Sequence, residues 1–71
     1  MGRPENPLPD AKTRILDAAE RLFMENGYAA TSVRMITGAA GVPVALVSYH
    51  FGSKQGLMEA VYERALGSRG G

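Results

Sequence analysis

The segment GVPVALVSYHFGSK, residues 41–54, decides how this sequence folds. It contains two glycines and is apolar at its start but polar towards its end. Val47 and Phe51 are four residues apart, so on a helix they share one face. The opposite face then carries Val44, Ala45, Ser48 and Tyr49, with Leu46 and His50 at the borders. The pattern predicts a short helix that buries one side and leaves the other free.

Length and composition restrict what the chain can do. Its 71 residues allow one small domain, and 45% apolar residues are enough for one compact core. Cysteine is absent and His50 is the one histidine, so disulfides and a cysteine–histidine metal site are excluded. No apolar run approaches the roughly 20 residues of a membrane span. We expect a cytoplasmic protein that needs no cofactor.

Two helices are predicted before the quoted segment. The first covers Asp10 to Asn26, with Asp10 as N-cap and Gly27 as a left-handed stop. Its apolar stripe consists of Ile15, Ala18, Ala19, Leu22 and Phe23. The second begins where Thr31 or Ser32 can cap it, and Gly41 ends it. Its inward face consists of Val33, Ile36 and Ala40.

The third and fourth helices complete the predicted fold. Pro43 suits the first position of the third helix, residues 43–51, because its missing N–H costs nothing there. Ser53 is a good N-cap for the fourth. The fourth helix has a wide apolar row made of Leu57, Met58, Val61, Tyr62, Ala65 and Leu66. Either this row faces a further partner or domain, or a small bundle simply needs a broad stripe.

We therefore predict an all-α fold, a small bundle of four helices. The proline-rich residues 1–9 form an arm, residues 10–67 the domain and residues 68–71 a tail. The second and third helices, joined at Gly41, form a helix-turn-helix. In such units the second helix enters the major groove of DNA and the first crosses the backbone.

The distribution of charge supports this arrangement although the net charge is only +1. No Asp or Glu lies between Glu25 and Glu59, a gap of 33 residues that contains the whole helix-turn-helix. Arg34 and Lys54 stand near predicted helix starts, where phosphate contacts are expected. A nearly neutral chain can therefore still present a positive face.

Four blocks of sequence resemble one known family. They are TRILDAAERLFMENGYAATSVRMI, AAGV, SYHFGSK and GLMEAVYERAL, which run from Thr13 to Leu66 in fitting order and spacing. The chain resembles the N-terminal DNA-binding domain of the TetR family of bacterial transcription repressors. The resemblance implies sequence-specific binding of double-stranded DNA by the third helix.

The resemblance also implies a role for individual residues. Arg34 is expected to contact either a phosphate or a base edge. The full set of residues expected to contact phosphates is Thr31, Ser32, Arg34, Tyr49, His50 and Lys54. Base contacts fall to Val44, Ala45 and Ser48. Val47 and Phe51 are expected to belong to the core.

The third helix departs from the family pattern in ways that affect base recognition. Many members have Ser at the position of Pro43, Lys or Arg at Val44, Gly at Ala45 and Thr at Leu46. A third helix without Arg, Lys, Asn or Gln cannot make bidentate base contacts. Recognition then depends on apolar contacts with thymine methyls, on Ser48, and on DNA shape.

The family resemblance implies partners beyond this chain. Members carry a helical C-terminal domain for dimerisation and ligand sensing, so we expect the chain to be part of a longer protein. The longer protein would be a homodimer on a palindromic operator, whereas this chain alone would be a monomer. A small-molecule inducer would bind the C-terminal domain.

Two other function classes were weighed against DNA binding. An enzyme is disfavoured, because Ser48 and His50 point to different faces of a helix and no carboxylate stands near them in sequence. A helical protein-interaction module that docks through the fourth helix remains the alternative. Salt discriminates between the two, because binding through phosphates weakens steeply as salt rises.

Overall fold

The computed structural model describes residues 10–67, and all the regular structure in this range is helical. The helices are α1 (Ala11–Asn26), α2 (Val33–Ala40), α3 (Ala45–Phe51) and α4 (Lys54–Gly67). The all-α bundle of four helices is therefore confirmed. The predicted arm, residues 1–9, and tail, residues 68–71, lie outside the described residues.

All four helices contribute to one core. Ile15 of α1, Ile36 of α2 and Leu57 of α4 are completely buried, and Val47 of α3 is 2% exposed. The rest of the core consists of Leu16, Ala18, Ala19, Phe23, Ala40 and Val61. Helix α1 contacts each of the other three helices, so it is the element on which the helix-turn-helix is held.

Local hydrogen bonds fix the predicted helix ends. The Asp10 carboxylate accepts a hydrogen bond of 2.9 Å from the Thr13 N–H at the start of α1. Gly41 has φ 74° and ψ 36°, the left-handed conformation expected at the end of α2. The hydroxyl oxygen of Ser53 accepts from the Gly56 N–H at 3.0 Å, which confirms Ser53 as the cap of α4.

The end of α1 differs from the expected left-handed stop. Gly27 has a positive φ of 89°, but its ψ of 159° lies outside the left-handed helical region. Its N–H still donates to the carbonyl oxygen of Phe23 at 2.8 Å. The extended ψ leads the chain away from α1 towards the loop that precedes α2. A positive φ combined with an extended ψ is a conformation that glycine adopts and other residues avoid.

Arg14 ties the turn of the helix-turn-helix to α1. Its Nη2 atom donates to the carbonyl oxygen of Ala40 at 2.8 Å and approaches that of Gly41 at 3.4 Å. These carbonyls stand at the C-terminal end of α2, where intrahelical partners are missing and a cation is favourable. Arg14 therefore stabilises the turn from which α3 departs.

Half of the wide apolar row on α4 faces inward and half faces out. Leu57 and Val61 are buried, whereas Tyr62 and Leu66 are 61% and 74% exposed. Tyr62 and Leu66 form an exposed apolar strip on α4. Beside this strip, Met24 of α1 and Tyr62 help to line a shallow groove, and Met24 is exposed as well. The bundle therefore uses only part of the row.

No helix within residues 10–67 combines the length and the apolar character needed to cross a membrane.

Candidate nucleic-acid interface

Helix α3 is shorter than predicted. It begins at Ala45, so the expectation of a helix over residues 43–51 with Pro43 in its first position is wrong by two residues. Pro43 and Val44 form a tight turn instead, in which the Leu46 N–H donates to the Pro43 carbonyl oxygen at 3.1 Å and Val47 N–H to that of Val44 at 3.0 Å. Val44 stands at the N-cap and its apolar side chain makes no capping hydrogen bond.

The two faces of α3 separate as the sequence predicts. Val47 is buried, and Leu46 and Phe51 are half-buried against the core. The outward face carries exposed Val44, Ala45, Ser48 and Tyr49. Tyr49 is 80% exposed, the largest exposed fraction among the large hydrophobic residues described. A surface of four adjacent side chains is thus free to meet a partner.

Tyr49 and His50 form a ring pair at the end of this face. Their ring centroids are 4.9 Å apart with an edge-to-face geometry, and the His50 ring is 6.0 Å from that of Phe51. Edge-to-face packing is the favourable arrangement for neighbouring aromatic rings. His50 is exposed, so its ring nitrogens remain accessible to a ligand.

The start of α2 presents a hydroxyl and a cation. Ser32 is the N-cap, and its hydroxyl oxygen accepts from the Met35 N–H at 3.1 Å. This leaves the hydroxyl proton available to donate to a phosphate oxygen. Arg34 is exposed and makes no ion pair with any residue between 10 and 67.

Thr31 does not belong to this surface. Its side chain is 0% exposed, and its hydroxyl group lies 3.0 Å from the Leu22 carbonyl oxygen and 2.9 Å from that of Gly27. The buried hydroxyl therefore satisfies backbone carbonyls at the end of α1. Of the two candidate N-caps of α2, Ser32 takes the capping role. The burial of Thr31 contradicts the prediction that its side chain contacts a phosphate.

Lys54, the first residue of α4, is held against an aromatic ring. Its Nζ atom lies 4.2 Å from the centroid of the Tyr28 ring. Tyr28 is 40% exposed, and its ring centroid is 5.5 Å from that of Phe23, so the ring packs partly against the core. This distance is that of a cation–π contact, in which the ring face attracts the ammonium group.

A pair of acidic groups on α1 is engaged by an arginine of α4. Arg64 of α4 donates to Asp17 at 2.8 Å and to Glu20 at 2.6 Å, both on α1. This network joins α1 to α4 and neutralises part of the acidic surface. In sequence the helix-turn-helix contains no Asp or Glu, although Glu59 of α4 lines one groove with His50.

Sequence reasoning missed three residues that position this surface. They are Arg14 at the turn, Tyr28 beside Lys54, and Gly56 at the start of α4. A methyl group on Gly56 would clash with the backbone carbonyl oxygen of Phe51, so a glycine is required where the end of α3 meets α4. A glycine early in an otherwise good helix pattern was the available signal.

Comparison with known proteins identifies this arrangement. The sequence model of the family described as "Bacterial regulatory proteins, tetR family" matches residues 15–61, most of the described bundle. The chain belongs to the tetR family. Its four helices are the N-terminal helix-turn-helix domain of that family, whose members are regulatory proteins and not enzymes.

Individual relatives of the chain come from several bacteria. The chain is 48% identical over 48 residues to the probable HTH-type transcriptional regulator YttP of Bacillus subtilis, covering 68% of this chain and 23% of the relative. It is 42% identical over 57 residues to the uncharacterized regulator YvkB of the same organism, covering 80% and 30%. It is 40% identical over 50 residues to the transcriptional repressor KstR2 of Rhodococcus jostii, covering 70% and 24%. The matches thus span less than a third of each relative's length.

Proposed function

We propose that this chain is the DNA-reading domain of a transcriptional repressor, with α3 inserted in the major groove of a double-stranded operator. The observation that carries the proposal is the outward face of α3, with Arg34 and Lys54 at the starts of α2 and α4. This face consists of Val44, Ala45, Ser48 and Tyr49. Side chains at helix starts are well placed for phosphate contacts, which set the register of a protein on the duplex. The name of KstR2 supports the repressor role.

The proposed contacts divide by chemistry. Ser32, Arg34, Tyr49, His50 and Lys54 meet phosphates, because each has a polar side chain that is not buried and stands on α3 or at the start of α2 or α4. Val44, Ala45 and Ser48 meet base edges, because they stand on the outward side of α3. Thr31 is left out of this set.

The presence of one reading helix per chain supports a dimer. A single α3 covers one half-site, and helix-turn-helix dimers bind two half-sites about one DNA turn, roughly 34 Å, apart. We propose a homodimer on a palindromic operator in the bacterial cytoplasm. In a longer protein of this family, further domains would supply dimerisation and an inducer site, and the exposed strip of α4 would pack against them.

The exposed strip on α4 also supports the second candidate, docking of a protein partner through α4. Met24, Tyr62 and Leu66 are each more than 60% exposed, and a solvated apolar strip is a feature of interaction surfaces. This candidate predicts binding that depends little on salt, since the strip carries no charge of its own.

Duplex titrations at several salt concentrations test the proposal. We expect binding to a random-sequence duplex to weaken as salt rises, with a log–log slope of about −0.9 for each phosphate neutralised. Lys54→Ala should weaken binding to all duplexes alike and flatten the slope by about 1. The control, Gln55→Ala, truncates the next side chain along α4 without removing a charge.

Amide chemical shifts locate the surface in the same titration. Shifts confined to residues 32–34 and 44–54 would support the proposed docking. Shifts confined to α4 beyond residue 57, without dependence on salt, would favour the protein-docking candidate. Unchanged affinity and slope in Lys54→Ala would contradict the proposed orientation.

A further inference from the structure

The outward face of α3 has an unusual composition for a surface that reads DNA. Val44 is 45% exposed and Tyr49 80%, and Ala45 and Ser48 beside them are also exposed. Between Met35 and Ser53 the sequence contains no Arg, Lys, Asn, Gln, Asp or Glu. The face therefore offers methyl groups, two hydroxyls and one imidazole.

The major groove presents a different pattern for each base, and this face matches only one of them well. Guanine is read by a bidentate Arg or Lys, adenine by a bidentate Asn or Gln, and cytosine by an acidic side chain. None of these side chains occurs on α3. Thymine alone carries a methyl group in the groove, which small apolar side chains contact. A hydroxyl such as that of Ser48 accepts or donates and discriminates weakly.

Position along the helix selects two residues of this face. The N-terminal residues of a recognition helix contact base edges. Val44 and Ala45 stand at the N-cap and first residue of α3, and neither is part of the core. The Val44 side chain is 45% exposed, so its methyl groups are accessible to a ligand. Leu46, the next residue, is half-buried and packs inward.

We infer that α3 recognises its half-site through the C5-methyl groups of thymines, with Val44 and Ala45 as the contacting residues. This inference rests on the proposed function and adds the class of DNA sequence that the site takes. Arg34 lies on α2 and not on α3, so any guanine it reads lies at the flank of the half-site. The central bases are selected by their methyl groups.

Removal of single methyl groups tests the inference. The chain is first used to enrich duplexes from a random pool at low salt. Each thymine of the enriched site is then replaced by deoxyuridine, which removes the C5-methyl and leaves every hydrogen-bonding group in place. Since burial of one methyl-sized group is worth about 0.8 kcal/mol, we expect one or two replacements to weaken binding about fourfold each.

A coupled substitution identifies the protein group in contact. In Val44→Ala, replacement of the thymine that Val44 contacts by deoxyuridine should weaken binding less than about twofold, because the contact with its methyl group is already lost. Val44→Thr, which keeps one γ-methyl group, should retain more of the deoxyuridine effect. The control Met24→Ala truncates an exposed side chain of α1 and should leave the effect unchanged. Circular dichroism confirms that each variant is folded.

The possible outcomes separate the inference from the proposed function. An enriched site with thymines at fixed positions, and a deoxyuridine effect coupled to Val44, supports the inference. An enriched site insensitive to deoxyuridine, or specified by G·C pairs at its centre, overturns it while DNA binding stands. Absence of binding to any duplex at low salt overturns the proposed function and this inference with it.

Discussion

The Nζ atom of Lys54 lies 4.2 Å from the centroid of the Tyr28 ring, which joins the loop after α1 to the first residue of α4. Tyr28 in turn contacts the core through Phe23, at 5.5 Å between ring centroids. A proposed phosphate contact is thereby connected to the interior by two aromatic rings. The ammonium group is held in place before any ligand arrives, which lowers the entropy cost of a phosphate contact.

We predict that Tyr28→Leu weakens duplex binding although Tyr28 is not among the proposed DNA contacts. An exposed cation–π contact is worth about 0.5–1 kcal/mol, so the expected loss is about two- to fivefold. Tyr28→Phe keeps the ring face and should bind as the wild type does. Fluorescence anisotropy at fixed salt measures both.

The same titration in a Lys54→Ala background provides the control for Tyr28. There Tyr28→Leu should have little further effect on affinity, because the group that it positions is gone. An equal loss in both backgrounds would show that Tyr28 acts only through the stability of the bundle.

Two glycine-to-alanine substitutions in helices should have opposite effects. At Gly56 a methyl group meets the Phe51 carbonyl oxygen, so Gly56→Ala should lower the free energy of unfolding by about 1–3 kcal/mol. At Gly38 nothing lies within 4 Å of the added group, so Gly38→Ala should raise it by about 0.5–1 kcal/mol. Urea denaturation measures both, and equal signs would contradict the close approach of α3 and α4.

The substitution Thr31→Val tests whether the Thr31 hydroxyl stabilises the fold or contacts a phosphate. The buried hydroxyl lies 3.0 Å and 2.9 Å from two backbone carbonyl oxygens, which the substitution leaves without this donor. We expect a loss of about 1–3 kcal/mol in the free energy of unfolding. The slope of duplex affinity against salt should not change, and a flatter slope would restore Thr31 to the DNA contacts.

Asp10 makes the stability of α1 depend on pH. Hydrogen bonds from the Thr13 backbone N–H and side chain lower the pKa of Asp10, and His50 and Lys12 act in the same direction. Because the folded pKa is lowered, the stabilisation is present above the unfolded value of about 3.9 and is lost as pH falls through the folded value. Asp10→Asn keeps a capping group without the charge.

Urea denaturation of the wild type and of Asp10→Asn, from neutral to acidic pH, measures this dependence of stability on pH. Wild type should exceed Asp10→Asn in stability at about pH 7, and the difference should disappear below the folded pKa. A difference that stays constant through the whole range would show that the carboxylate charge does not contribute.

Much of the fold could be predicted from short-range features of the sequence. The positions of Asp10, Ser53 and Gly41 set three helix ends, because capping involves groups within a few residues of each other. The separation of Val47 from Val44, Ala45 and Tyr49 followed from helical periodicity. The start of α3 was misplaced because the Pro43 turn makes i to i+3 hydrogen bonds that the apolar pattern does not distinguish from a helix.

The sequence by itself determined the four helices, the outward face of α3 and membership in the tetR family, because these depend on local spacing and on residue identity. Only the tertiary structure decided which polar side chains are available to a ligand. The Thr31 hydroxyl is engaged at the Leu22 carbonyl oxygen of α1, Lys54 is held by Tyr28, and Arg14 is engaged at the end of α2. Each of these contacts joins residues from different elements or loops. Their meeting depends on how α1 packs against the rest of the bundle, which no local pattern encodes.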